Sequence, residues 1–168
     1  MTGETGPIRV AVLTISDSAY LGTREDNSGP AVRAEMDRLA YLTVYSEILP
    51  DEPDKISKKL AEIADGLQPD ILFTAGGTGL GPRDNTPEAT TAVIEKEAPG
   101  LAELMRSEGR RSTPLAALSR AKAGVRGRTL IINLPGSVKG VQESIRTIAE
   151  LLPHAVELMR GGIVRCGG

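Results

Sequence analysis

A glycine-rich run between an apolar stretch and a helix start constrains the fold of this chain more than any other feature. Residues 71–73 (Ile-Leu-Phe) follow Pro69 and Asp70 and are typical of a buried strand. The glycine loop (residues 76–81) contains four glycines. Residues 86–88 (Thr-Pro-Glu) then combine a hydroxyl cap, a proline at the first helical position and an acid in the first turn. A strand, a glycine loop and a helix in this order can bind an anion, because glycine lets backbone N–H groups approach phosphate and the helix dipole favours it.

The segment after these glycines carries a carboxylate, Asp84, which a phosphate would repel unless a cation lay between them. The pattern therefore indicates phosphate chemistry with a divalent metal. Two simpler interpretations stay open: the glycines only shape a turn, and Asp84 is a surface acid that favours the helix start. The loop is not a Walker A motif, because no Gly-Lys-Ser/Thr follows, and Pro82 replaces the third glycine of a dinucleotide fingerprint.

Apolar stretches and helical patterns alternate along the chain. This alternation predicts an α/β three-layer sandwich, with a mostly parallel central sheet and helices on both faces, in a single domain over residues 1–168. Residues 121–125 form either a hairpin with the last strand or an extension into it, and residues 17–29 form a loop. We expect strands at 8–16, within 41–49, at 71–73 and at 129–134, and helices at 28–39, 54–64 with Gly66 as cap, 87–97, and 138–160 with a bend or restart at Pro153.

The carboxyl ends of parallel strands form one rim, where ligands bind in such folds. Ser16, Asp17 and Asp51 follow the first two predicted strands, so Asp51 and Asp84 should meet at the rim and could hold Mg²⁺. Asp51 could instead be a turn residue, and the hydroxyls of residues 16–18 either bind a ligand or cap the turn. Most basic residues after position 109 should be solvated, with one or two able to meet an anionic ligand.

Composition and charge exclude several classes of protein. A net charge of -2 and 2% aromatic residues argue against nucleic-acid binding. The apolar runs are too short to cross a membrane and the first residues lack a signal pattern, so we expect a cytoplasmic protein. The single cysteine, Cys166, and the single histidine, His154, exclude an intrachain disulfide, a cysteine zinc cluster and a multi-histidine metal site, and make Ser–His catalysis improbable.

Several motifs together resemble the molybdopterin adenylyltransferase family of molybdenum-cofactor biosynthesis, which includes bacterial enzymes and the G domains of gephyrin and its plant counterpart. The similarity extends in order over nearly the whole chain. The matching motifs are Thr-Ile-Ser-Asp-Ser at 14–18, Leu-Pro-Asp-Glu at 49–52, Gly-Gly-Thr-Gly at 76–79, Pro-Arg-Asp-Asn-Thr-Pro-Glu-Ala-Thr at 82–90, Glu-Ala-Pro-Gly at 97–100, Leu-Ser-Arg at 118–120, Ile-Ile-Asn-Leu-Pro-Gly-Ser at 131–137 and Leu-Pro-His-Ala at 152–155.

The resemblance implies that ATP and molybdopterin react, with Mg²⁺, to give adenylylated molybdopterin and pyrophosphate. It also implies a homotrimer, with a hexamer as the alternative. By position, Asp51 and Asp84 match the family's catalytic and metal-binding acids. The nucleotide and its phosphates are assigned to Gly76, Gly77, Thr78 and Gly79 with Ser16 and Asp17, and the pterin to Ser119, Asn133, Pro135, Gly136 and Ser137.

The chain departs from the family pattern in two ways. Asn85 stands where valine is common. The sequence given contains no molybdenum-insertion domain, so we expect that it does not perform by itself the two-step relay that the fused eukaryotic proteins suggest. Transient contact with a molybdenum-insertion protein is also expected. The main rival function is a non-catalytic molybdopterin carrier or assembly scaffold, and a more generic one is a nucleotide-binding regulator. The sequence leaves open whether molybdenum or tungsten is the eventual metal and which residues bind adenine.

Overall fold

The structure is a computed structural model that describes residues 6–161. In this part of the chain, six strands form one sheet: β1 (Arg9–Ile15), β2 (Leu42–Leu49), β3 (Ile71–Ala75), β4 (Lys96–Glu97), β5 (Ala123–Arg126) and β6 (Thr129–Leu134). Their order is β2-β1-β3-β6-β5-β4. β2, β1, β3 and β6 are mutually parallel, whereas β5 and β4 extend one edge in antiparallel pairing. The predicted mostly parallel sheet and the hairpin are confirmed.

Helices cover both faces of this sheet. They are α1 (Asp17–Tyr20), α2 (Ser28–Arg38), α3 (Pro53–Glu62), α4 (Thr86–Thr91), α5 (Pro99–Gly109), α6 (Val138–Ile148) and α7 (Leu152–Met159), with a π-helical turn (Ile63–Leu67) and a 3₁₀ turn (Pro114–Leu118). None of the helices in residues 6–161 combines the length and the apolar character that a membrane crossing would need.

The core lies in two layers because neighbouring strand residues point to opposite faces of the sheet. On one face, Val12 and Phe73 pack with Ile145 of α6 in a fully buried cluster that also includes residues of α2, α5 and α7. On the other face, Leu13 packs with Leu60 of α3 in a cluster that includes Ala89 of α4. The three-layer architecture expected from the sequence is confirmed.

Three predictions of secondary structure were wrong, and so was the hydroxyl cap expected at Thr86: Asn85 holds the cap position of α4, and the buried Thr86 hydroxyl has no hydrogen-bond partner within residues 6–161. The helix predicted at 87–97 ends at Thr91, and Lys96–Glu97 is instead an edge strand paired with β5. Gly124 on β5 permits this pairing, since a Cβ there would lie 2.7 Å from both Ile94 Cδ1 and the carbonyl oxygen of Lys96. Gly66 is not a helix cap, because the π-helical turn passes through it and ends at Gln68 with φ 50.

The third wrong prediction is the loop at 17–29, which contains the short helix α1. The hydroxyl of Ser16 caps this helix by accepting a hydrogen bond from the backbone N–H of Ala19 at 3.3 Å. The restart of the C-terminal helix is confirmed, since α6 ends at Ile148 and α7 begins at Leu152, next to Pro153.

The ends of the four parallel strands are level with one another. Ile15 at the end of β1 pairs with Leu49 of β2, and Ala75 of β3 pairs with Leu134 of β6. The loops that follow these strands therefore leave the sheet along one rim, as the sequence predicts. This register brings residues that are far apart in sequence to a common site.

Candidate functional site

Two neighbouring cavities open at the rim, one on each side of the glycine loop. The larger, of about 830 Å³, is called the acidic cavity, and the smaller, of about 370 Å³, is called the small cavity. Residues lining the acidic cavity include Ser16, Arg24, Glu25, Asp26, Asp51, Gly76, Gly77, Asp84, Gly136 and Ser137. Residues lining the small cavity include Thr78, Gly79, Met105, Leu115, Leu118, Ser119, Pro135 and Ser137. Ser137 lines both, so the two cavities meet there.

Asp51 is held at the acidic cavity by reciprocal backbone hydrogen bonds with Asp17. The N–H of Asp17 donates to Oδ2 of Asp51 at 2.9 Å, and the N–H of Asp51 donates to Oδ1 of Asp17 at 3.0 Å. Arg83 donates to the same Asp17 carboxylate through Nε at 2.5 Å and Nη2 at 3.0 Å. Asp17 lines neither cavity. The structure thus places Asp17 between an arginine and Asp51, where it orients Asp51.

The acids at this cavity influence one another electrostatically. The hydrogen bonds from Arg83 lower the pKa of Asp17, which therefore stays ionised. Burial raises the pKa of Asp51, and the negative charges of Asp17 and Asp84 raise it further, against the lowering effect of the Asp17 backbone N–H. Asp51 and Asp84, 33 positions apart in sequence, both line the acidic cavity.

Glycines at 79 and 81 make room for the carboxylate of Asp84. Its Oδ2 accepts a hydrogen bond from the N–H of Gly81 at 2.9 Å. A Cβ added at Gly79 or at Gly81 would lie 2.8 Å from that oxygen, closer than a side chain tolerates. These two glycines therefore allow the loop to fold tightly around the acid.

Gly76 and Gly77 are required by the backbone itself. Both have positive φ, 109° and 67°. A Cβ at Gly76 would lie 2.2 Å from the carbonyl oxygen of Ile15, and one at Gly77 would lie 2.3 Å from Thr86 Oγ1 and 3.1 Å from Asp51 Oδ1. Close packing of the loop on β1 thus explains Gly76, and close packing on Thr86 of α4 and on Asp51 explains Gly77.

A second turn (residues 135–137) leads from β6 into α6 beside the glycine loop. A Cβ at Gly136 would lie 3.4 Å from the Cα of Gly76, so the two turns are in contact. The hydroxyl of Ser137 caps α6 by accepting from the N–H of Gly140 at 3.1 Å. The N-terminus of an eleven-residue helix therefore lies where the cavities meet, a position that favours an anion.

The structure divides the residues assigned to the pterin: Ser119, Pro135 and Ser137 line the small cavity, Gly136 lines the acidic cavity instead, and Asn133 lines neither. Asn133 is fully buried. Its Nδ2 donates to the hydroxyls of Thr74 at 2.9 Å and Thr90 at 2.8 Å, while its Oδ1 accepts from the N–H of Lys122 at 3.0 Å. These bonds connect β6 to β3, to α4 and to the segment before β5. Asn133 therefore stabilises the packing of these elements around the site through hydrogen bonds and does not face a cavity.

The residues assigned to the nucleotide likewise line two different cavities. Ser16, Gly76 and Gly77 line the acidic cavity, whereas Thr78 and Gly79 line the small cavity. Asp26 is a site residue that was not predicted from the sequence. Its Oδ1 accepts hydrogen bonds from the N–H groups of Ser28 and Gly29, both at 3.0 Å, and fixes the start of α2 at the acidic cavity. An acid just before a helix start is the signal that could have found it.

Arg24, which was also not predicted from the sequence, is the single basic residue among those lining the acidic cavity in residues 6–161. His154 is exposed on α7 and lines neither cavity. Cys166 and the first five residues lie outside the described part of the chain.

Comparison with known proteins identifies the family. The family model described as "probable molybdopterin binding domain" matches residues 11–154. The chain belongs to this molybdopterin-binding family. The resemblance seen in the sequence motifs is confirmed.

Relatives of this molybdopterin-binding chain share its length to different degrees. The molybdopterin adenylyltransferase of Helicobacter pylori is 42% identical over 94% of this chain and 91% of its own. The molybdenum cofactor synthesis protein cinnamon of Drosophila melanogaster is 45% identical over 90% of this chain, which spans only 26% of that longer protein. The crystal structure of the molybdopterin biosynthesis enzyme MoaB of Thermus thermophilus superposes with a TM-score of 0.87, at 51% identity over 92% of this chain and 97% of that one.

The acids of the site suit Mg²⁺. No group of three or more His, Cys, Asp or Glu side chains in residues 6–161 is arranged to hold a metal on its own. Asp51 and Asp84 offer two carboxylates, and within that part of the chain the Oδ1 of each accepts no hydrogen bond. Mg²⁺ commonly takes one or two carboxylates and completes its octahedron with phosphate oxygens and water. The donor set therefore fits a magnesium ion that arrives with a phosphorylated ligand.

Proposed function

We propose that this protein transfers the adenylyl group of ATP to the terminal phosphate of molybdopterin and releases pyrophosphate. One observation carries the proposal: two cavities meet at Ser137 and the glycine loop, and both acids of the site face the larger one. A reaction that joins two ligands needs adjacent sites with the reacting atoms at their junction. The name of the Helicobacter pylori relative supports the same reaction.

The acidic cavity is the proposed site of ATP. It has the volume for a nucleotide, and its lining includes Ser16, Gly76 and Gly77 beside the N-terminus of α6. Backbone N–H groups and a helix dipole favour phosphate there. The single base of its described lining, Arg24, would add a charge-assisted contact to the polyphosphate.

The small cavity is the proposed site of the pterin. Its lining is largely apolar, with Met105, Leu115 and Leu118, and Ser119 and Thr78 supply polar groups. A flat, heteroaromatic ligand buries its faces against such side chains and uses few polar contacts for orientation. The terminal phosphate of molybdopterin would then reach the junction at Ser137.

The transfer itself needs no strong base. The second pKa of a phosphate monoester is about 6, so the nucleophile is already anionic near neutral pH. One of its oxygens attacks the α-phosphorus of ATP, and the bond from that phosphorus to the bridging oxygen of pyrophosphate breaks. No histidine lines either cavity in residues 6–161, which agrees with this mechanism. The protein contributes alignment and neutralisation of charge.

Asp51 and Asp84 would hold Mg²⁺ at the acidic cavity. When bound, the ion supplies charge neutralisation at the α-phosphate and at the pyrophosphate leaving group. Asp17 and Arg83 orient Asp51, and the N–H of Gly81 orients Asp84. These residues fix the carboxylates before any ligand arrives, which reduces the cost of organising the site.

An assay of pyrophosphate and adenylylated molybdopterin tests the proposal, with purified protein, molybdopterin, ATP and Mg²⁺. In Asp84→Asn we expect turnover to fall by about 100-fold or more while the Kd for molybdopterin changes less than about twofold, since the electrostatic contribution lies in the transition state. Asp37→Asn is the matched control, because Asp37 is exposed and lines neither cavity.

Absence of pyrophosphate release by the wild-type protein, with molybdopterin still bound, would instead support the rival function of a non-catalytic carrier or scaffold. Turnover of Asp84→Asn at the wild-type rate would refute the role given to that acid.

The family resemblance also supports proposals about assembly and location. We propose a homotrimer, with a hexamer as the alternative, which light scattering of the purified protein distinguishes from a monomer. We propose a cytoplasmic location and transient contact with a molybdenum-insertion protein that would accept the adenylylated product. Whether molybdenum or tungsten follows depends on that acceptor.

A further inference from the structure

Arg120 donates hydrogen bonds to backbone carbonyls of residues that line both cavities. It follows Ser119 of the small cavity and is partly buried, with 34% of its side chain exposed. Its N–H donates to the carbonyl oxygen of Thr78 at 2.9 Å. Its Nε donates to the carbonyl of Gly79 at 2.8 Å, and its Nη2 donates to the carbonyl of Asp84 at 2.5 Å. One arginine thus bonds to both ends of the segment 79–84.

This segment has few other attachments to the protein. Residues 80–83 are exposed. Inside the segment, Asp84 and Gly81 bond to each other, N–H to carbonyl at 3.0 Å and N–H to carboxylate at 2.9 Å. These internal bonds shape the turn but cannot fix its position relative to the sheet. Arg83 joins it to Asp17, and Arg120 joins it to the segment before β5.

Arg120 is itself held in place from the opposite side. Arg106 on α5 donates through Nη1 to the carbonyls of Ser119 at 3.3 Å and Ala121 at 3.0 Å. Glu88 on α4 forms an ion pair with the Arg120 guanidinium. Glu88 is half exposed, and such pairs contribute little by themselves. The hydrogen bonds to the two carbonyls are therefore the contacts that can position the loop.

We propose that Arg120 is a positioning residue that holds the backbone of Gly79 and Asp84 so that the Asp84 carboxylate faces the acidic cavity. This inference rests on the proposed function for its kinetic readout. The planar guanidinium donates in several fixed directions at once, which lets it reach both carbonyls and Glu88. Lysine keeps the charge but has a compact ammonium group that cannot span the same three acceptors.

The test compares Arg120→Lys with Glu88→Gln, each checked by thermal melting. Arg120→Lys should lower kcat by about 10- to 100-fold, since a displacement near 1 Å costs that much, and should leave the KM for molybdopterin within about twofold. Glu88→Gln removes the ion pair but keeps both carbonyl bonds, so its kcat should stay near that of the wild type. Wild-type kcat in Arg120→Lys, or equal losses in both variants, would overturn the inference.

A double-mutant cycle shows whether Arg120 acts through Asp84. If it does, Arg120→Lys added to Asp84→Asn should cost less than about threefold, because the interaction it supports is already lost. A further loss as large as in the wild-type background would show that Arg120 acts elsewhere.

Hydrogen exchange of the ligand-free protein tests the positioning without any activity. In Arg120→Lys the amides of Gly81 and Asp84 should exchange at least about tenfold faster than in the wild type, and in Glu88→Gln they should not. Unchanged exchange would overturn the inference. Because this readout needs no turnover, it separates failure of the positioning role from failure of the proposed transferase activity.

Discussion

The buried amide of Asn133 permits a clear distinction between a structural residue and a pterin ligand. Replacing it with alanine removes three hydrogen bonds, to Thr74, Thr90 and the N–H of Lys122. At about 1 kcal/mol for each bond, the free energy of unfolding should fall by about 3 kcal/mol. In a protein of this size that corresponds to a Tm lower by about 6–12 °C.

The assay is thermal or denaturant unfolding of Asn133→Ala, combined with the Kd for molybdopterin below the melting range. Thr90→Val is a graded control, since it removes one of the three bonds and should cost about 1 kcal/mol. A direct pterin ligand predicts the opposite pattern, in which binding weakens at least about tenfold and stability hardly changes. A loss below about 1 kcal/mol together with weakened binding would refute the structural role.

Two further predictions concern the acids themselves. Gly79→Ala places a methyl group 2.8 Å from Asp84 Oδ2, so turnover should fall at least about tenfold with little change in Tm, whereas Gly100→Ala, which meets no atom within 4 Å, should keep its activity. Folding raises the pKa of Asp51 above its ordinary value of 3.8. The contribution of this group to the free energy of unfolding is therefore complete below pH of about 3.8 and is lost as the pH rises through the raised pKa. Asp51→Asn should therefore have a higher Tm than the wild type at neutral pH, and this difference in Tm should shrink towards pH of about 4. An equal difference in Tm at both pH values would show that ionisation of Asp51 is not its cause.

Much of the fold could be predicted because the parallel strands have strong local signals. The run at 71–73 is apolar on both sides, as strands covered by helices on both faces must be. When four such strands are parallel, their carboxyl ends lie along one rim. Strand topology alone therefore predicts that Asp51 and Asp84 lie near each other, even though it gives no distances. The position of the site at the rim could therefore be predicted from the sequence.

What could not be predicted depends on contacts between distant segments. The strand at Lys96–Glu97 forms because β5 presents Gly124 to it, and nothing in the local helical pattern of 87–97 shows that partner. The burial of Asn133 has the same origin, since its three partners come from three different elements. The sequence motif around Asn133 is compatible with a residue that binds the pterin or with one that stabilises the fold, and only its neighbours in the structure distinguish the two roles.

The charge of the acidic cavity bears on the proposal that a nucleotide binds there with a cation. Its described lining contains one base, Arg24, and four acids, Glu25, Asp26, Asp51 and Asp84, a formal charge of -3. Burial raises the pKa of Asp51, the negative charges of Asp17 and Asp84 raise it further, and a bound triphosphate would add more negative charge beside this carboxyl. A divalent cation held by Asp51 and Asp84, as proposed, would offset the charge of the carboxylates and of the phosphates. Under the proposed function, the acids that repel one another in the ligand-free cavity would favour the joint binding of a cation and a nucleotide, so we expect each ligand to tighten the binding of the other.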